Sequence, residues 1–302
     1  MLLHYLAEAL IIIQVSFFEL IKNTLYQNDN RIHVIILFCI MQKLSVVIVC
    51  KNGANVIAET IKSFSGLTDD VLVYDNGSTD GTKEVVKKSG AKLFEGSWEG
   101  FGKTKNKANE LAKYNWILSL DADEAIDEEL KENLLHLDLV DERKVYELKF
   151  KNFIGKKWLR FGEWGDDKHT RLFNRIKVKW NNAEVHESLL LPQDAIVFEV
   201  GGNVLHKTAG SIAEYEKKMK SYAALNAEKY FKQGRRSGML KMIFSAVFSF
   251  IKNYFFKLGF LDGTTGFQCA KINAGYTFLK YKKLRKLNQQ SGTGSLESGK
   301  TS

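Results

Sequence analysis

Short apolar runs alternate with segments of helical periodicity between residues 44 and 121, and this alternation constrains the fold more than any other feature of the sequence. The runs are LSVVIVC, VLVYD, AKLFE and WILSL, and between them lie NVIAETIKSF, TKEVVKKSG and NKANELAKY. The length and β-branched content of the runs predict strands that are buried in a sheet. Strands that alternate with single helices predict an α/β fold, with a mostly parallel open sheet flanked by helices.

The pattern changes after Asp141. VYELKFKNFIG, TRLFNR and IVFEVGG predict a mixed-strand extension of the sheet. Two C-terminal amphipathic helices follow, a charged one over SIAEYEKKMKSYAALNAEKYFKQG and a more apolar one over MLKMIFSAVFSFIKNYFFKLGF. We therefore expect a sheet domain over residues 41–210, a helical region over 211–288 and a disordered tail of small polar residues over 289–302.

Residues 1–40 are mostly apolar but contain Glu8 and Glu19, and no basic leader with a small-residue cleavage site precedes the apolar stretch. We interpret them as an extension ahead of a domain that starts near Met41. A weakly membrane-associated helix is the alternative.

Composition limits the class of protein. Hydrophobic residues make up 45% of the 302 residues and charged residues 26%, which excludes a largely disordered chain. The net charge of +9 suits an anionic partner: a nucleotide, a membrane surface or a nucleic acid. Cys39, Cys50 and Cys269 lie far apart in apolar surroundings, which is typical of reduced thiols in a cytosolic protein.

Six carboxylates lie within nine residues directly after the fourth predicted strand, in DADEAIDEE (121–129). Asp121 and Asp123 can turn their oxygens towards one point, and oxygen ligands are those that Mg²⁺ and Mn²⁺ prefer. Alternatively, the acids cap a helix over EAIDEELKENLLHL, which is a sufficient account of Glu128 and Glu129. We predict a metal site at Asp121 and Asp123, because the two carboxylates would otherwise repel each other.

The stretch YDNGSTDGT (74–82) lies between a predicted strand and a predicted helix, so its Asn-Gly pair indicates a strand-to-helix loop. Asp75, at the strand end, is predicted to accept a hydrogen bond from a base or ribose. Ser78 and Asp80 are candidates either for the same ligand or for the helix cap.

The stretch GKTKNKA (102–108) places Lys105 and Asn106 at a loop-to-helix boundary, where helix amides and ammonium groups favour phosphate. A solvated basic face is the alternative for both residues.

Candidates for a general base lie in the second half of the chain. A carboxylate that takes the proton of an acceptor hydroxyl is needed in a transferase, and Asp166, Asp167 and Glu187 are available. His206, directly after an apolar run, is a candidate for the metal shell or for diphosphate contact. A structural histidine with satisfied hydrogen bonds is the alternative.

Taken together, these motifs resemble a known family. SVVIVCKNGANVIAETIKSF, VLVYDNGSTDGT, GKTKNKA and WILSLDADE, in this order, resemble the GT-A domain of glycosyltransferase family 2. RLFNR, VHESL, VLHK and GFLDGTTGF are similar to the branch that adds sugars to the lipopolysaccharide inner core. The resemblance covers roughly residues 43–288.

The resemblance implies inverting transfer of a hexose from a nucleotide-sugar, UDP-linked, to a lipid-linked saccharide such as lipopolysaccharide inner core. It implies Mg²⁺ or Mn²⁺ at Asp121 and Asp123, with Asp75 near the base of the donor. Beside these, we predict His206 as a further metal ligand, and Lys51, Asn52, Ser78, Asp80, Lys105, Asn106 and Asp121 as further donor contacts. Glu187 is the first choice for the base. Asp167 is the second, because the family usually has a Pro-Asp pair where this chain has Gly165-Asp166-Asp167.

A lipid-linked acceptor implies a protein that is peripheral on the cytoplasmic face of the membrane. The apolar helix over residues 239–258 is then predicted to lie at the headgroup boundary, and packing into the core is the alternative.

Two other functions are compatible with parts of the sequence. A nucleotidyltransferase would carry a glycine- and arginine-rich phosphate loop soon after the first strand, and VCKNGAN does not have one. A non-enzymatic protein that binds nucleic acid or membrane would be repelled from phosphates by the carboxylate cluster. We expect no nucleic-acid partner.

Overall fold

The four apolar runs form the parallel half of one sheet, as their β-branched content predicts. The computed structural model describes residues 42–181 and 187–297, with side chains to residue 290, so the extension over residues 1–40 lies outside the described residues. The strands of the parallel half are β1 (Leu44–Cys50), β2 (Val71–Asp75), β3 (Lys92–Glu95) and β4 (Trp116–Asp121), and the connecting helices are α1 (Ile57–Ser63), α2 (Thr82–Lys88) and α3 (Phe101–Glu110). The order of these strands in the sheet is β3-β2-β1-β4.

The remaining strands extend the sheet with mixed polarity. From β4 the order continues β8-β6-β11-β5, with β7 paired to β6, so that nine strands in the described part of the chain form one sheet. Only the β6–β11 pair is parallel in this extension. The predicted α/β fold with a mixed-strand extension is confirmed. These strands are β5 (Glu124–Ile126), β6 (Lys144–Ile154), β7 (Lys157–Leu159), β8 (Lys168–Asn174) and β11 (Ile196–Ala209), and β9 (Lys179–Trp180) pairs with β10 (Leu189–Leu190) in a separate ribbon.

The prediction of a helix over EAIDEELKENLLHL is wrong at its first three residues, which form β5. Ala125 and Ile126 are buried, and β5 pairs with β11, so tertiary pairing outweighs the local preference for helix. Helix α4 (Glu128–Leu135) begins only after Asp127, whose side chain accepts a hydrogen bond from the Leu130 N–H at 2.9 Å. Asp127 is therefore the capping acid of the cluster.

Side chains of the central strands are buried on both faces of the sheet. Val46 and Ile48 of β1 pack in one cluster with Ile57 of α1. Val47 packs on the opposite face in a cluster with Ala108 of α3. Burial on both faces explains why these runs are continuously apolar rather than alternating, and it makes the strand ends a fixed platform.

A fully buried carboxylate at the amino-terminal edge of the sheet ties three segments together. Asp70 accepts hydrogen bonds from Ser45 Oγ at 2.5 Å, Lys92 Nζ at 2.5 Å and the Lys113 N–H at 2.7 Å. Burial alone would raise the pKa of Asp70, but these donors outweigh burial and lower the pKa below its ordinary value of 3.8.

Replacing Asp70 with asparagine is expected to lower the free energy of unfolding by about 1–3 kcal/mol at neutral pH, because buried donors lose a charged acceptor. A depressed carboxyl pKa contributes stability that is present above pH 3.8 and is lost as the pH falls through the folded-state pKa. The stability difference between wild type and variant should therefore shrink below pH 3.8. Urea unfolding at several pH values measures this stability difference. A difference that is constant with pH would contradict the lowered pKa of Asp70.

Three helices follow the sheet: α5 (Ile212–Lys232), α6 (Met239–Ile251) and α7 (Gly263–Glu297). Between α6 and α7 the chain forms a π-helical turn over Lys252–Phe256 and a 3₁₀ turn over Gly259–Asp262. Helix α7 continues to Glu297, past residue 289, where the sequence predicts a disordered tail. Residues 298–302 lie outside the described residues.

The motif GFLDGTTGF anchors the last two helices to the sheet domain. Asp262 accepts hydrogen bonds from the N–H groups of Arg160 at 3.0 Å and Phe161 at 2.9 Å, just after β7. A Cβ atom at Gly266 would lie 1.9 Å from the Gly259 carbonyl oxygen, so the close approach requires glycine. The motif therefore has a structural role in the packing of the C-terminal helices.

Candidate active site

A cleft of about 1080 Å³ lies at the carboxyl end of the parallel strands. Strand register sets this edge, because Cys50 is paired with Asp75 and Val49 is paired with Asp121. Open α/β sheets bind their ligands at this edge. Predicted site residues that line the cleft are Lys51, Asn52, Lys105, Asp121, Asp123, Asp167, Glu187 and His206.

A buried lysine joins two of the predicted acids. Lys105 Nζ lies 2.9 Å from Glu187 Oε1 and 3.2 Å from Asp121 Oδ1, and the residue is only 2% exposed. The ammonium group also lies 4.6 Å from the centroid of the Trp180 ring. Its position is therefore fixed by two carboxylates and a cation–π contact. An ammonium group held in this way is suited to receive phosphate oxygens.

The neighbouring Asn106 has a different role from the one that the sequence predicts. Its amide donates to the Trp180 carbonyl at 2.9 Å and accepts from the Trp180 N–H at 3.0 Å. The side chain does not line the cleft. Asn106 thus holds β9 and the ring on which Lys105 rests, rather than a phosphate.

A second cation holds the other side of the acid cluster. Arg171 NH2 lies 2.8 Å from Glu124 Oε1 and 3.8 Å from Asp121 Oδ2, and Glu124 Oε2 accepts from the Asp121 N–H at 2.9 Å. Burial would raise the pKa of Asp121, but the charges of Lys105 and Arg171 outweigh burial and lower the pKa to about 2. Asp121 is therefore ionised throughout the physiological range.

A row of polar side chains crosses the mixed half of the sheet from β5 to β8. His206 Nε2 lies 3.6 Å from Asp123 Oδ2, and His206 Nδ1 lies 2.6 Å from Asn152 Oδ1. Asn152 Nδ2 donates to Asp167 Oδ2 at 2.7 Å, and His169 Nε2 lies 2.8 Å from Asp167 Oδ1. Strand register causes this alignment, because His206 is paired with Asn152.

The row determines which groups face the two ring nitrogens of His206. Because the Asn152 amide nitrogen donates to Asp167, its carbonyl oxygen faces His206 and accepts a hydrogen bond from the Nδ1–H. Nε2 faces Asp123; burial lowers the pKa of His206, but contact with the Asp123 carboxylate outweighs burial and raises it. Histidines that bind metals commonly have one ring nitrogen fixed by such a hydrogen bond, which leaves the other nitrogen for the cation.

These residues fit a divalent cation in part. Asp123 and His206 offer an oxygen and a nitrogen on the same side of the cleft. Asp121 lies two residues before Asp123 in sequence, but its oxygens are close to Lys105 and Arg171. In the described residues no group of three or more His, Cys, Asp or Glu side chains is assembled for a metal. The donor set therefore fits a cation that is also held by a ligand, rather than a closed structural site.

The loops after β1 and β2 are tied together by three of the predicted donor-binding side chains. The Asn52 N–H donates to Ser78 Oγ at 2.8 Å, and Asn52 Oδ1 accepts from the Thr79 N–H at 2.9 Å. Asp80 accepts from the Ala54 N–H at 3.2 Å. Ser78 and Asp80 do not line the cleft, and their contacts here shape the loop that carries Lys51 and Asn52.

Asp75 is fully buried, and only one of its two carboxylate oxygens accepts hydrogen bonds from described residues. Its Oδ1 accepts from the N–H groups of Gly77 at 3.0 Å and Ser78 at 2.9 Å, whereas Oδ2 is buried with no hydrogen-bond partner among the described residues. Its strand neighbour Cys50 and the following Asn76 both line the cleft. A buried carboxylate oxygen without a partner is costly and commonly marks the place of a ligand donor.

The two predicted bases and Asp166 are placed differently. Glu187 and Asp167 both line the cleft, whereas Asp166 is exposed at the surface, where it lies 3.9 Å from Lys168. Burial raises the pKa of Asp167, but hydrogen bonds from His169 and Asn152 outweigh burial and lower the pKa. A carboxylate with a depressed pKa is a weaker base, which counts against Asp167 in that role.

Several residues of the site are not singled out by the sequence reasoning. They are Glu124, Asn152, His169, Arg171 and Trp180. RLFNR contains Arg171 and is part of the family resemblance, so that motif is a signal that could have identified it. Asn152 gives no local signal, because its role depends on its β-sheet neighbours.

Comparison with known proteins is consistent with this geometry. Residues 45–187 match the model of glycosyl transferase family 2. An uncharacterized glycosyltransferase of Rickettsia prowazekii is 28% identical over 263 residues, which cover 83% of this chain and 89% of the relative. The lipopolysaccharide core biosynthesis glycosyltransferase LpsC of Rhizobium meliloti is 27% identical over 252 residues, which cover 80% of this chain and 91% of the relative.

A partial likeness to a solved structure is also found. The crystal structure of glucosyl-3-phosphoglycerate synthase from Mycobacterium tuberculosis with Mn²⁺, UDP-glucose and phosphoglyceric acid aligns with a TM-score of 0.32 and 22% identity. The alignment covers 39% of this chain and 46% of that one, so the chain spans just under half of that protein.

The matched domain and the matched relatives define a glycosyltransferase. Residues 45–187 form a glycosyl transferase family 2 domain, and this domain contains the parallel half of the sheet, the carboxylate cluster and Glu187.

Proposed function

We propose that the protein transfers a hexose, with inversion, from a UDP-sugar to a lipid-linked saccharide such as lipopolysaccharide inner core, with a divalent cation as cofactor. The observation that carries this proposal is the arrangement of Asp121, Asp123 and Glu187 around Lys105 and His206 in one cleft. Acidic side chains interleaved with fixed cations suit a substrate that combines an anionic diphosphate with hydroxyl groups.

The donor is proposed to lie across the carboxyl ends of β1, β2 and β4. Asp75 Oδ2 would accept a hydrogen bond from the N–H of the base, which would satisfy the buried oxygen. Lys51 and Asn52 line the same end of the cleft. Lys105 would exchange part of its contact with Asp121 for a diphosphate oxygen, since one ammonium group can serve several acceptors.

Glu187 is proposed as the general base. Its carboxylate would take the proton of the acceptor hydroxyl while that oxygen forms a bond to the anomeric carbon. The bond from the anomeric carbon to the diphosphate oxygen breaks on the opposite face, and UDP carries away the electron pair, which inverts the configuration. Lys105, at 2.9 Å, holds Glu187 at the cleft wall in the required orientation.

Asp123 and His206, with Asp121 beside them, are the residues proposed to hold Mg²⁺ or Mn²⁺. The ion, when bound, would offset the negative charge that develops on the departing diphosphate. Asn152 keeps Nε2 of His206 available, and Asp167 keeps Asn152 in the correct amide orientation. The residues of the row are therefore proposed to position a ligand rather than to transfer protons.

The acceptor class is supported by the likeness to LpsC, which spans most of both chains. The cleft extends from the sheet edge to α5 and α7, where Tyr222 and Tyr276 line it. Aromatic side chains present flat apolar surfaces of the kind on which sugar rings pack. We propose that the saccharide acceptor occupies this second half of the cleft.

Replacing Asp75 with alanine is expected to weaken UDP binding by about 10- to 100-fold, which corresponds to the loss of one charge-assisted hydrogen bond. Calorimetric titration with UDP measures the change. UMP binding should fall by a similar factor, because the contact is to the base and not to the β-phosphate. Unchanged UDP affinity in a folded variant would contradict this role of Asp75.

The proposed function is tested by incubating the purified protein with UDP-hexoses and lipopolysaccharide that lacks outer core sugars, with and without Mn²⁺. Mass spectrometry should show a gain of one hexose that depends on the cation. A parallel reaction with UTP and a sugar 1-phosphate tests the nucleotidyltransferase alternative. Formation of UDP-sugar and pyrophosphate there, with no transfer in the first reaction, would overturn the proposal.

A further inference from the structure

Helix α6 presents an apolar surface that no other described part of the chain covers. The surface continues through the π-helical turn into the 3₁₀ turn, and three of its side chains, Leu240, Phe244 and Phe256, are 71%, 67% and 74% exposed. In α6 only Met242 is buried. We name this surface the apolar docking face; it consists of Leu240, Phe244, Val247, Phe255, Phe256 and Phe260.

The segment that carries the apolar docking face is strongly basic. Residues 230–290 contain twelve lysines and arginines and one acidic residue, an excess larger than the net charge of +9 of the whole chain. The single acid is Asp262, and its carboxylate accepts backbone hydrogen bonds from Arg160 and Phe161. The segment that carries the apolar docking face therefore has a large excess of positive charge.

We propose that the apolar docking face inserts into the interfacial region of an anionic lipid bilayer, with α6 lying in the plane of the membrane. Exposed aromatic and aliphatic side chains would enter the boundary between headgroups and acyl chains. Lys252 and Lys257 would contact anionic headgroups, each adding favourable free energy that salt weakens. The docking itself does not depend on the proposed reaction, but its purpose, delivery of a lipid-linked acceptor, does.

Helix α6 together with the π-helical turn, over Met239–Phe256, has the length and hydropathy of a membrane span, but its neighbour opposes a crossing orientation. Helix α7 packs against it, with the Phe250 and Phe267 ring centroids 5.9 Å apart and Lys241 Nζ 5.5 Å from the Tyr281 ring centroid. Helix α7 carries Lys280, Lys282 and Lys283, which would have to enter hydrocarbon beside α6. A helix that is apolar on one side and packed on a charged helix on the other fits the interface and not the bilayer core.

A second copy of this chain is a weaker candidate for covering the surface. Two copies that meet through the apolar docking face would bring together two segments of the same strong positive charge, and like charges at an interface oppose association. An anionic bilayer offers both the apolar environment and the opposite charge.

The apolar docking face is close to the cleft through α7. Helix α7 packs against α6 and also contributes Tyr276 to the cleft lining. A protein anchored by α6 would therefore hold one wall of the cleft next to the bilayer surface, where a lipid-linked saccharide is presented.

Co-sedimentation of the full chain with vesicles tests the inference. Wild type should bind vesicles of phosphatidylglycerol and phosphatidylethanolamine at least ~10-fold more tightly than neutral phosphatidylcholine vesicles, and less tightly at high salt. The variants Phe256→Ser and Phe244→Ser/Phe256→Ser should progressively lose binding to the anionic vesicles. Carbonate extraction should release the bound wild type, as expected for a peripheral protein.

A matched control is Ile176→Ser, since Ile176 is 60% exposed on the sheet domain, far in sequence from α6. It should bind as wild type does. UDP affinity, measured in solution, should be equal in all four proteins, so that failure of docking and failure of the proposed reaction are distinguished. Unchanged vesicle binding in the double variant, resistance to carbonate extraction, or a dimer in light scattering that the double variant dissociates would each overturn the inference.

Discussion

Asp123→Asn is expected to lower the transfer rate by more than ~100-fold while the protein remains folded. Loss of a residue that only supports a metal ligand typically costs 10- to 100-fold, so loss of the proposed ligand should cost more. Asparagine has nearly the same shape and can still contact His206, so the row of side chains that crosses the sheet should persist. The rate is measured by mass spectrometry of the glycosylated acceptor.

Cation dependence is the second readout for Asp123. In wild type, UDP together with Mn²⁺ should raise the thermal unfolding midpoint more than UDP alone, because ligands that bind only the folded state stabilise it. The variant should lose the additional rise and keep the effect of UDP alone. Asp166→Asn is the matched control, since Asp166 lies three positions before His169 in sequence but is 87% exposed and outside the cleft. A variant of Asp123 with normal activity would refute the metal assignment.

Glu187→Gln is expected to lower the rate of transfer by roughly 10²- to 10⁴-fold, the usual contribution of a positioned general base. Glutamine can still accept a hydrogen bond from Lys105 with its amide oxygen, so the wall of the cleft should keep its geometry. Affinity for the UDP-sugar, measured by calorimetry, should change little. The combination of intact donor binding and lost transfer is what distinguishes a base from a structural acid.

Asp167→Asn provides the comparison. Asp167 accepts from Asn152 and His169, and its lowered pKa makes it a poor proton acceptor, so the variant should act through Asn152 and His206. We expect it to weaken stabilisation by Mn²⁺ and UDP as well as transfer. If Asp167→Asn instead keeps that stabilisation and loses only transfer, while Glu187→Gln remains active, the base has been misassigned.

Local pattern was sufficient to predict the parallel half of the sheet. Continuous β-branched runs separated by helical periodicity favour a parallel sheet with helices between the strands, and the structure has such a sheet. Three-residue β5 could not be predicted, because Glu124–Ile126 forms a strand only through its pairing with β11. The start of α3 at Phe101, within a glycine-rich stretch, was missed for a similar reason: glycine there is tolerated by packing rather than favoured by propensity.

The cleft position of the predicted acids follows from their place at a strand end. Asp121 ends β4 and Asp123 precedes β5, and His206 lies within β11, which pairs with β5. The partners that give these acids their properties come from distant positions: Lys105 contacts Glu187, and Arg171 contacts Glu124. A single sequence does not contain those pairings. It therefore could not distinguish Lys105, which faces the cleft, from Asn106, which holds β9.

The far wall of the cleft, built by α5 and α7, lies beyond residue 187, where the match to the family model ends. The residues proposed to bind the nucleotide and the aromatic residues proposed to contact the saccharide are thus encoded in separate stretches of the gene. Mutation could remodel the second stretch, and so change which glycan is extended, while leaving donor chemistry untouched. Chimeras that exchange the helices following β11 between relatives offer a practical route to new linkages.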